Sequence, residues 1–261
     1  MKNNLIIMGA AGRMGSMIAG LAEEEGFVLA ALADRAECLD KLAHWNCPAG
    51  SEPEPLFAAH PQAVIIDFTT PEVALGTARL AARYGNSLVA GVTGLSAEQK
   101  LELERLAGQT PILWSPNMSV GVNVLAAILP RLAGMLGPGY DLEMVEIHHN
   151  RKKDAPSGTA LYLAGSMAEG RGWKLDDVAC CRREGLTGER PSRQIGIQAV
   201  RGGDVTGVHT AYFIGQGERI EVTHHSHSRE NFARGALRAA RWMIGRTAGK
   251  LYSIRDILQD I

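Results

Sequence analysis

The stretch from Glu146 to Ala160 reads Glu-Ile-His-His-Asn-Arg-Lys-Lys-Asp-Ala-Pro-Ser-Gly-Thr-Ala and concentrates groups that can do chemistry. A strand-like run delivers His148 and His149. Three cations follow at Arg151, Lys152 and Lys153, and Pro156-Ser157-Gly158-Thr159 then opens a helix. Histidine carries a proton that titrates near neutral pH, and lysine brings a movable positive charge. The first amides of a helix have no intrahelical acceptor and can cradle a carboxylate or an oxyanion. Together these residues describe a site for a small polyanion that must be protonated.

A second constellation lies near the start of the chain. Leu5-Ile6-Ile7-Met8 reads as a strand and Gly9-Ala10-Ala11-Gly12-Arg13-Met14-Gly15 as a glycine-rich turn. A helix follows through Glu25, with Gly26 as its cap. The GxxGxxG spacing is a relative of the dinucleotide fingerprint, in which glycine lets the backbone approach a pyrophosphate at a helix N-terminus. Phe27 to Ala33 reads as a second buried strand ending at Asp34, 19 residues after Gly15. An acid about 20 residues on is placed to hold a ribose 2′-hydroxyl. Arg35 beside it and Arg13 inside the loop are cations able to take a 2′-phosphate. Asp34 and Arg35 together leave NADH and NADPH both open, and use of either is expected.

The elements that must position these residues alternate. Ala63 to Phe68 reads as a strand. Thr70 and Pro71 start a helix that closes near Gly85. Leu88 to Val92 is the next strand, Ser96 and Gln99 have capping-box spacing for a helix through Ala107, and Pro111 to Trp114 is another strand. Strands separated by such helices predict a parallel sheet covered on both faces. After residue 117 the pattern changes. An apolar helix over Val120 to Leu136 breaks at Gly137-Pro138-Gly139, Asp141 to Ile147 is a strand, and a helix starts near Ser157. Ile195 to Thr223 alternates like strands around a hairpin turn at Gly215-Gln216-Gly217. A closing helix over Asn231 to Ile244 puts Phe232, Ala236, Ala239, Ala240 and Met243 on one face. The expected fold is α/β: a Rossmann-like nucleotide-binding domain over 1–118 and 229–261, and a smaller α+β domain over 119–228 with a mixed or antiparallel sheet.

Composition narrows the function. The 261 residues are 46% hydrophobic and 21% charged, enough to bury a real core in one large domain or two modest ones. A net charge of −1 argues against a protein that coats nucleic acid, and neither a nucleic-acid nor a membrane partner is expected. Met1 to Asn4 runs into only a short apolar stretch, Leu5 to Met8, so no secretory signal is expected. No run reads as approaching the ~20 apolar residues of a membrane span. Cys38, Cys47, Cys180 and Cys181 show no CxxC spacing and predict reduced thiols in the cytoplasm. His224, His225 and His227 form another histidine group, but no cysteine or carboxylate completes a ligand spacing, so no metal is expected.

The stretch from Glu146 to Ala160 resembles the central signature of the dihydrodipicolinate reductase (4-hydroxy-tetrahydrodipicolinate reductase) family of the bacterial lysine and diaminopimelate pathway. The likeness spans nearly the whole chain. It includes Gly9 to Gly15, Asp67-Phe68-Thr69, Gly91-Val92-Thr93-Gly94, Pro116 to Asn123, Arg183-Glu184-Gly185, Thr187 to Arg190 and Val200 to Asp204. It continues through Gly207, His209-Thr210, Gly217-Glu218-Arg219 and Ser228-Arg229. The resemblance implies NAD(P)H-dependent reduction of a small dicarboxylate, an unsaturated dipicolinate ring, by a homotetramer joined through the sheet of the substrate domain. It implies His148 as general acid and Lys152 as the group that stabilises developing charge. His149, Lys152, Ser157, Gly158 and Thr159 would hold the two carboxylates. Cofactor contacts would come from Gly9, Ala10, Ala11, Gly12, Arg13, Met14 and Gly15, from Asp34 and Arg35, from the backbone of Gly91, Val92 and Thr93, and from Pro116, Asn117 and Met118. Lys152 and Arg151 are expected to disfavour protonation of His148. The chain departs from the family pattern at Thr70, where many members carry arginine, at Val92 in place of threonine, and in a shorter segment between Asp34 and Asp67. Another Rossmann reductase, of the aspartate-semialdehyde or homoserine dehydrogenase kind, would lack the His-His-to-Ser-Gly-Thr arrangement. A cofactor-sensing regulator would be expected to lose His148 or Lys152.

Overall fold

The computed structural model describes residues 3–260; residues 1, 2 and 261, the outer ends of the expected first domain, lie outside the described residues. From the first of these, β1 (Asn3–Met8) leads through the glycine loop into α1 (Arg13–Ala22) and β2 (Phe27–Ala33). The helix stops at Ala22, short of the Glu25 expected from sequence. Three consecutive carboxylates, Glu23 to Glu25, would sit at the negative end of the helix dipole. Instead Glu24 and Glu25 turn to ion pairs with Arg234, and Gly26 makes the turn at φ +74°. A 3-10 helix at Ala36–Leu42, the two-residue β3 (Ala49–Gly50) and α2 (Pro53–Ala59) follow. Pieces this short carry too little periodicity to register in the sequence.

The βα alternation then runs as expected through β4 (Val64–Asp67), α3 (Pro71–Tyr84), β5 (Ser87–Ala90), α4 (Ala97–Ala107) and β6 (Ile112–Trp114). Pro71 occupies the first turn of α3 and Gly85 closes it in the left-handed region at φ +72°. Ser96 and Gln99 form the capping box of α4 reciprocally.

Next come α5 (Val120–Leu136), a 3-10 turn at Gly137–Gly139, β7 (Asp141–His148), α6 (Gly158–Glu169), α7 (Leu175–Val178), β8 (Ala179–Cys180), β9 (Ile195–Arg201), β10 (Gly207–Ile214) and β11 (Arg219–Ser226). The chain ends with α8 (Glu230–Met243), β12 (Leu251–Tyr252) and α9 (Ile254–Gln259).

The chain forms two compact units, one of residues up to Ser119 together with those from Glu230, the other Val120–Arg229. In the first, seven parallel strands take the order β12-β6-β5-β4-β1-β2-β3. Both faces are buried, so successive residues of one strand serve two cores. Leu5, Ile7, Val64 and Ile66 pack with α1 and α8 on one face. Ile6, Met8, Ile65 and Leu88 pack with α3 and α4 on the other. The order reverses between β1 and β4, and a ligand binds an open α/β sheet at the carboxyl ends beside such a reversal.

In the second unit the sheet is mixed, in the order β11-β10-β7-β9-β8. β7 pairs antiparallel with β10 and parallel with β9. Its core face carries Leu142, Met144, Glu146 and His148, packed towards α5 and α6. Register sets Glu146, His209 and His224 side by side across β7, β10 and β11. The expectation that no run approaches the length of a membrane span is corrected here. The segment Val120–Gly139 has that length and a mean hydropathy of 1.6. In the fold one face of α5 enters the core of the second unit, burying Val122, Asn123, Ala126, Leu129 and Ala133, while Val124, Ile128 and Met135 stay exposed.

Candidate active site

The glycine loop closes on itself tightly. Gly9 sits at φ +69° and its carbonyl accepts the Gly12 amide at 3.0 Å. A Cβ at Gly15 would overlap the backbone of Gly9 and Ala10, so only glycine lets α1 start this close to β1. The Ala10 amide donates to the Ala33 carbonyl at 3.1 Å, and the Ala10 side chain is fully buried. The Ala11 amide donates to Asp34 Oδ2 at 2.8 Å, and Asp34 Oδ1 accepts from the Arg35 amide at 2.8 Å. Asp34 thus ties the end of β2 to the glycine loop. The amides of Arg13 and Met14, first in α1, are left to meet an anion, as helix geometry requires.

A cavity of about 510 Å³ opens here, lined by Gly9, Ala11, Gly12, Asp34, Arg35 and Lys41 and floored by Phe68, Thr69 and Thr70. Its residues fit the ribose end of a dinucleotide: a carboxylate, two cations and backbone close enough to touch. Arg35 is exposed, pairs with Glu37 at 3.1 Å and reaches Cys38 Sγ at 3.8 Å. Lys41, on the 3-10 helix, is a second cation that the sequence reading missed along with the helix carrying it.

The remaining expected cofactor residues follow the carboxyl ends of β5 and β6 and do not line this cavity. The Gly91 amide donates to the Asp67 carbonyl at 2.8 Å, and a Cβ there would overlap the Phe68 ring. Val92 has its side chain buried and its carbonyl taken by Trp114 Nε1 at 2.9 Å. The Pro116-Asn117-Met118 turn is held by Ser115 Oγ donating to the Asn117 carbonyl at 2.7 Å. Met118 is 1% exposed and belongs to the core, so at Val92 and Met118 it is backbone, not side chain, that can meet a ligand. Asp67 braces this end of the sheet. Buried, it accepts from the Thr69 amide and hydroxyl and from the Thr77 hydroxyl, and burial nonetheless pushes its carboxyl above the ordinary value.

In the second unit the β7 end gathers the other group of residues around Glu146. This carboxylate is 0% exposed and accepts four donors. Arg201 reaches both oxygens, each at 2.7 Å, the Ser157 amide reaches Oε1 at 3.0 Å, and His148 Nδ1 stands 2.5 Å from Oε2. Burial alone would raise the Glu146 pKa; Arg201, His148 and the Ser157 amide outweigh it and hold it below the usual carboxylate range. An ionised Glu146 takes the Nδ1 proton of His148 as a hydrogen bond and leaves Nε2 as the reactive nitrogen. Gly207 lies beside it: a Cβ there would stand 3.0 Å from Nε2.

His148 titrates below its ordinary value, chiefly because burial disfavours the cation. Glu146 opposes the shift, and Lys152 and Arg201 reinforce it. The direction agrees with the sequence expectation, but the assisting cations are Lys152 and Arg201 rather than Lys152 and Arg151. Arg201 comes from β9, fifty residues downstream, where sequence gives no hint of its position. Lys152 Nζ donates to Asp154 Oδ1 at 2.9 Å and is largely covered. The His149 amide is fixed to the Val205 carbonyl at 2.8 Å. Ser157 caps α6, its Oγ accepting from the Ala160 amide at 3.1 Å and meeting His209 Nε2 at 3.0 Å. Gly158 and Thr159 supply the first amides of that helix. His148, His149, Lys152, Ser157, Gly158 and Thr159 are therefore brought together, with Glu146, Arg201, Asp154 and His209 added by the fold.

His224 and His225 lie on opposite faces of β11, since neighbouring residues of a strand alternate.

Comparison with known proteins bears on both units. Residues 3–118 match the model of the dihydrodipicolinate reductase N-terminus, and residues 121–258 that of its C-terminus. The chain is 58% identical to the 4-hydroxy-tetrahydrodipicolinate reductase of Nitratidesulfovibrio vulgaris (strain Miyazaki F), over 99% of this chain and 100% of that one. It is 53% identical to the protein of the same name from Lawsonia intracellularis, over 98% and 99% of the two chains. Among solved structures, the dipicolinate-bound dihydrodipicolinate reductase from Paenisporosarcina sp. TG-14 shares the fold, with a TM-score of 0.76 at 24% identity over 97% of this chain and 98% of that one. With both halves matched and full-length relatives above half identity, the chain belongs to the dihydrodipicolinate reductase family.

Proposed function

We propose that the chain reduces dehydrated 4-hydroxy-tetrahydrodipicolinate to tetrahydrodipicolinate with NADH or NADPH, a step in lysine and diaminopimelate biosynthesis. The observation that carries this reading is the buried Glu146 carboxylate, which gathers His148, Arg201 and Ser157 at the head of α6, with Lys152 close by. The nicotinamide cofactor, when bound, supplies a hydride. The rest is done by the chain. Gly158, Thr159, Ser157 and His149 bind the carboxylates, the first two through helix amides. Lys152 leaves Asp154 to meet the negative charge that develops on the ring. His148, oriented by Glu146, delivers a proton from Nε2. The Gly9–Gly15 loop and the turns at Gly91–Thr93 and Pro116–Met118 hold the cofactor along the carboxyl ends of the strands.

Asp34, Arg35 and Lys41 support use of both cofactors: the acid suits a ribose hydroxyl and the cations a phosphate. In a coupled assay with dihydrodipicolinate synthase, pyruvate and aspartate semialdehyde, NADH and NADPH should both be oxidised. Their kcat/KM values should differ by less than about a thousandfold, ~4 kcal/mol; a larger ratio contradicts dual use. The open face of the second sheet, with Val145, Ile147, Val208 and Tyr212 only partly covered, supports assembly into a homotetramer through that face. Four unpaired thiols fit a reducing, cytoplasmic compartment.

A further inference from the structure

His209 lies on β10, outside the residues given a role above, yet it touches two of them. Its Nε2 is 3.0 Å from Ser157 Oγ, and its ring meets that of His148 edge-on at 5.1 Å between centroids. The residue is 4% exposed, and among the described residues its other nitrogen, Nδ1, is buried without a hydrogen-bond partner. Burial, helped by neighbouring His148, His224 and Lys152 and opposed by Glu146, pushes its pKa down to about 3, so the ring is neutral and carries one proton. That proton can sit on either nitrogen. On Nδ1 it would be a buried N–H with no acceptor, which folded proteins rarely tolerate; an unfilled acceptor is tolerated more readily. The proton therefore belongs on Nε2, where Ser157 Oγ receives it.

Ser157 Oγ then accepts twice, from His209 Nε2 and from the Ala160 amide at 3.1 Å. A hydroxyl oxygen has two lone pairs and one hydrogen. With both lone pairs filled, its hydrogen must be given to a third group. Ser157 precedes the first amides of α6, where an anion is favoured. We propose that His209 is a positioning residue that makes Ser157 a dedicated hydrogen-bond donor to a carboxylate of the substrate. This rests on the reductase reading of the same site. Without His209 the Ser157 hydroxyl regains a free lone pair and can turn its hydrogen away.

The test is a set of steady-state measurements on His209→Phe, His209→Gln and Ser157→Ala, with melting temperatures alongside. Gln carries an amide NH₂ near the position of Nε2; Phe keeps the ring and carries no donor. His209→Phe should raise the substrate KM about tenfold, the size of one hydrogen bond to a charged group, and leave the NADH KM unchanged. His209→Gln should stay within about threefold of wild type. Adding His209→Phe to Ser157→Ala should cost nothing more, because the two act through one hydroxyl. A His209→Phe enzyme with wild-type substrate KM, a Gln variant as impaired as Phe, or additive losses in the double variant would each overturn the proposal. Should His209→Phe fail to fold, ¹⁵N shifts of the wild-type histidines decide: the Nε2–H tautomer is expected, and Nδ1–H refutes it. Wild-type protein that oxidises neither cofactor would instead sink the reductase reading, and the tautomer would then still decide the orientation of Ser157.

Discussion

Glu146 is buried and accepts four hydrogen bonds, and these constraints explain His148. A buried carboxylate is tolerable only when paired and fully hydrogen-bonded. Arg201 supplies the pairing with two bonds of 2.7 Å, and His148 and the Ser157 amide complete the set. His148, buried and facing Lys152 and Arg201, titrates below its ordinary 6.5 despite Glu146. A general acid must start protonated, so kcat/KM should fall as pH rises through a value below 6.5. Glu146→Gln removes the one group that favours the imidazolium and should move that limb to still lower pH. It also leaves Arg201 without its carboxylate, which should cost about 3–5 kcal/mol of stability. A pH–rate profile whose limb lies above 6.5, or is unmoved by Glu146→Gln, contradicts this role for the pair. The motif made His148, Lys152 and Ser157 legible in the sequence, since they lie within ten residues. Arg201 and His209 were not legible as site residues. They reach the site through the register of β9 and β10 against β7, which no local pattern encodes.

Among the elements, α8 shows how one small residue sets a close approach. A Cβ at Gly235 would overlap the carbonyl of Met118, so α8 lies directly on the turn that follows β6. Gly235→Ala must push the two apart. Overpacking of this kind costs about 1–3 kcal/mol, and each kcal/mol lowers the melting temperature by about 2–4 °C at this size. The Pro116–Met118 turn would move with it, so the NADH KM should rise as well. An unchanged melting temperature and NADH KM would show that the contact yields without cost. The long elements were legible because their signals are physical and local: Thr70-Pro71 and Gly85 bound α3, and Ser96 with Gln99 bounds α4. β3, α2, β12 and α9 were not, because elements of two to seven residues carry too little periodicity to register. Gly235 was invisible for a different reason, as the backbone it touches lies more than a hundred residues away.

For the whole molecule, neutral net charge hides two concentrated features: the cations around Glu146 and His148, and the cation-lined cavity at Asp34. The homotetramer proposed through the open face of the second sheet should give a solution mass about four times that of the 28.0 kDa chain by light scattering, and a monomer would contradict it. Positioning two reactants against each other can supply about 7–11 kcal/mol, and proton delivery by one residue about a hundred- to ten-thousandfold. The measurement that tests the central claim most directly is kcat in the synthase-coupled assay for wild type, His148→Ala and Lys152→Ala. The wild-type enzyme should oxidise NADH or NADPH only when substrate is being formed, and each variant should lose about two to four decades of kcat. Substrate-independent or absent oxidation in the wild type, or near wild-type kcat in both variants, would contradict it.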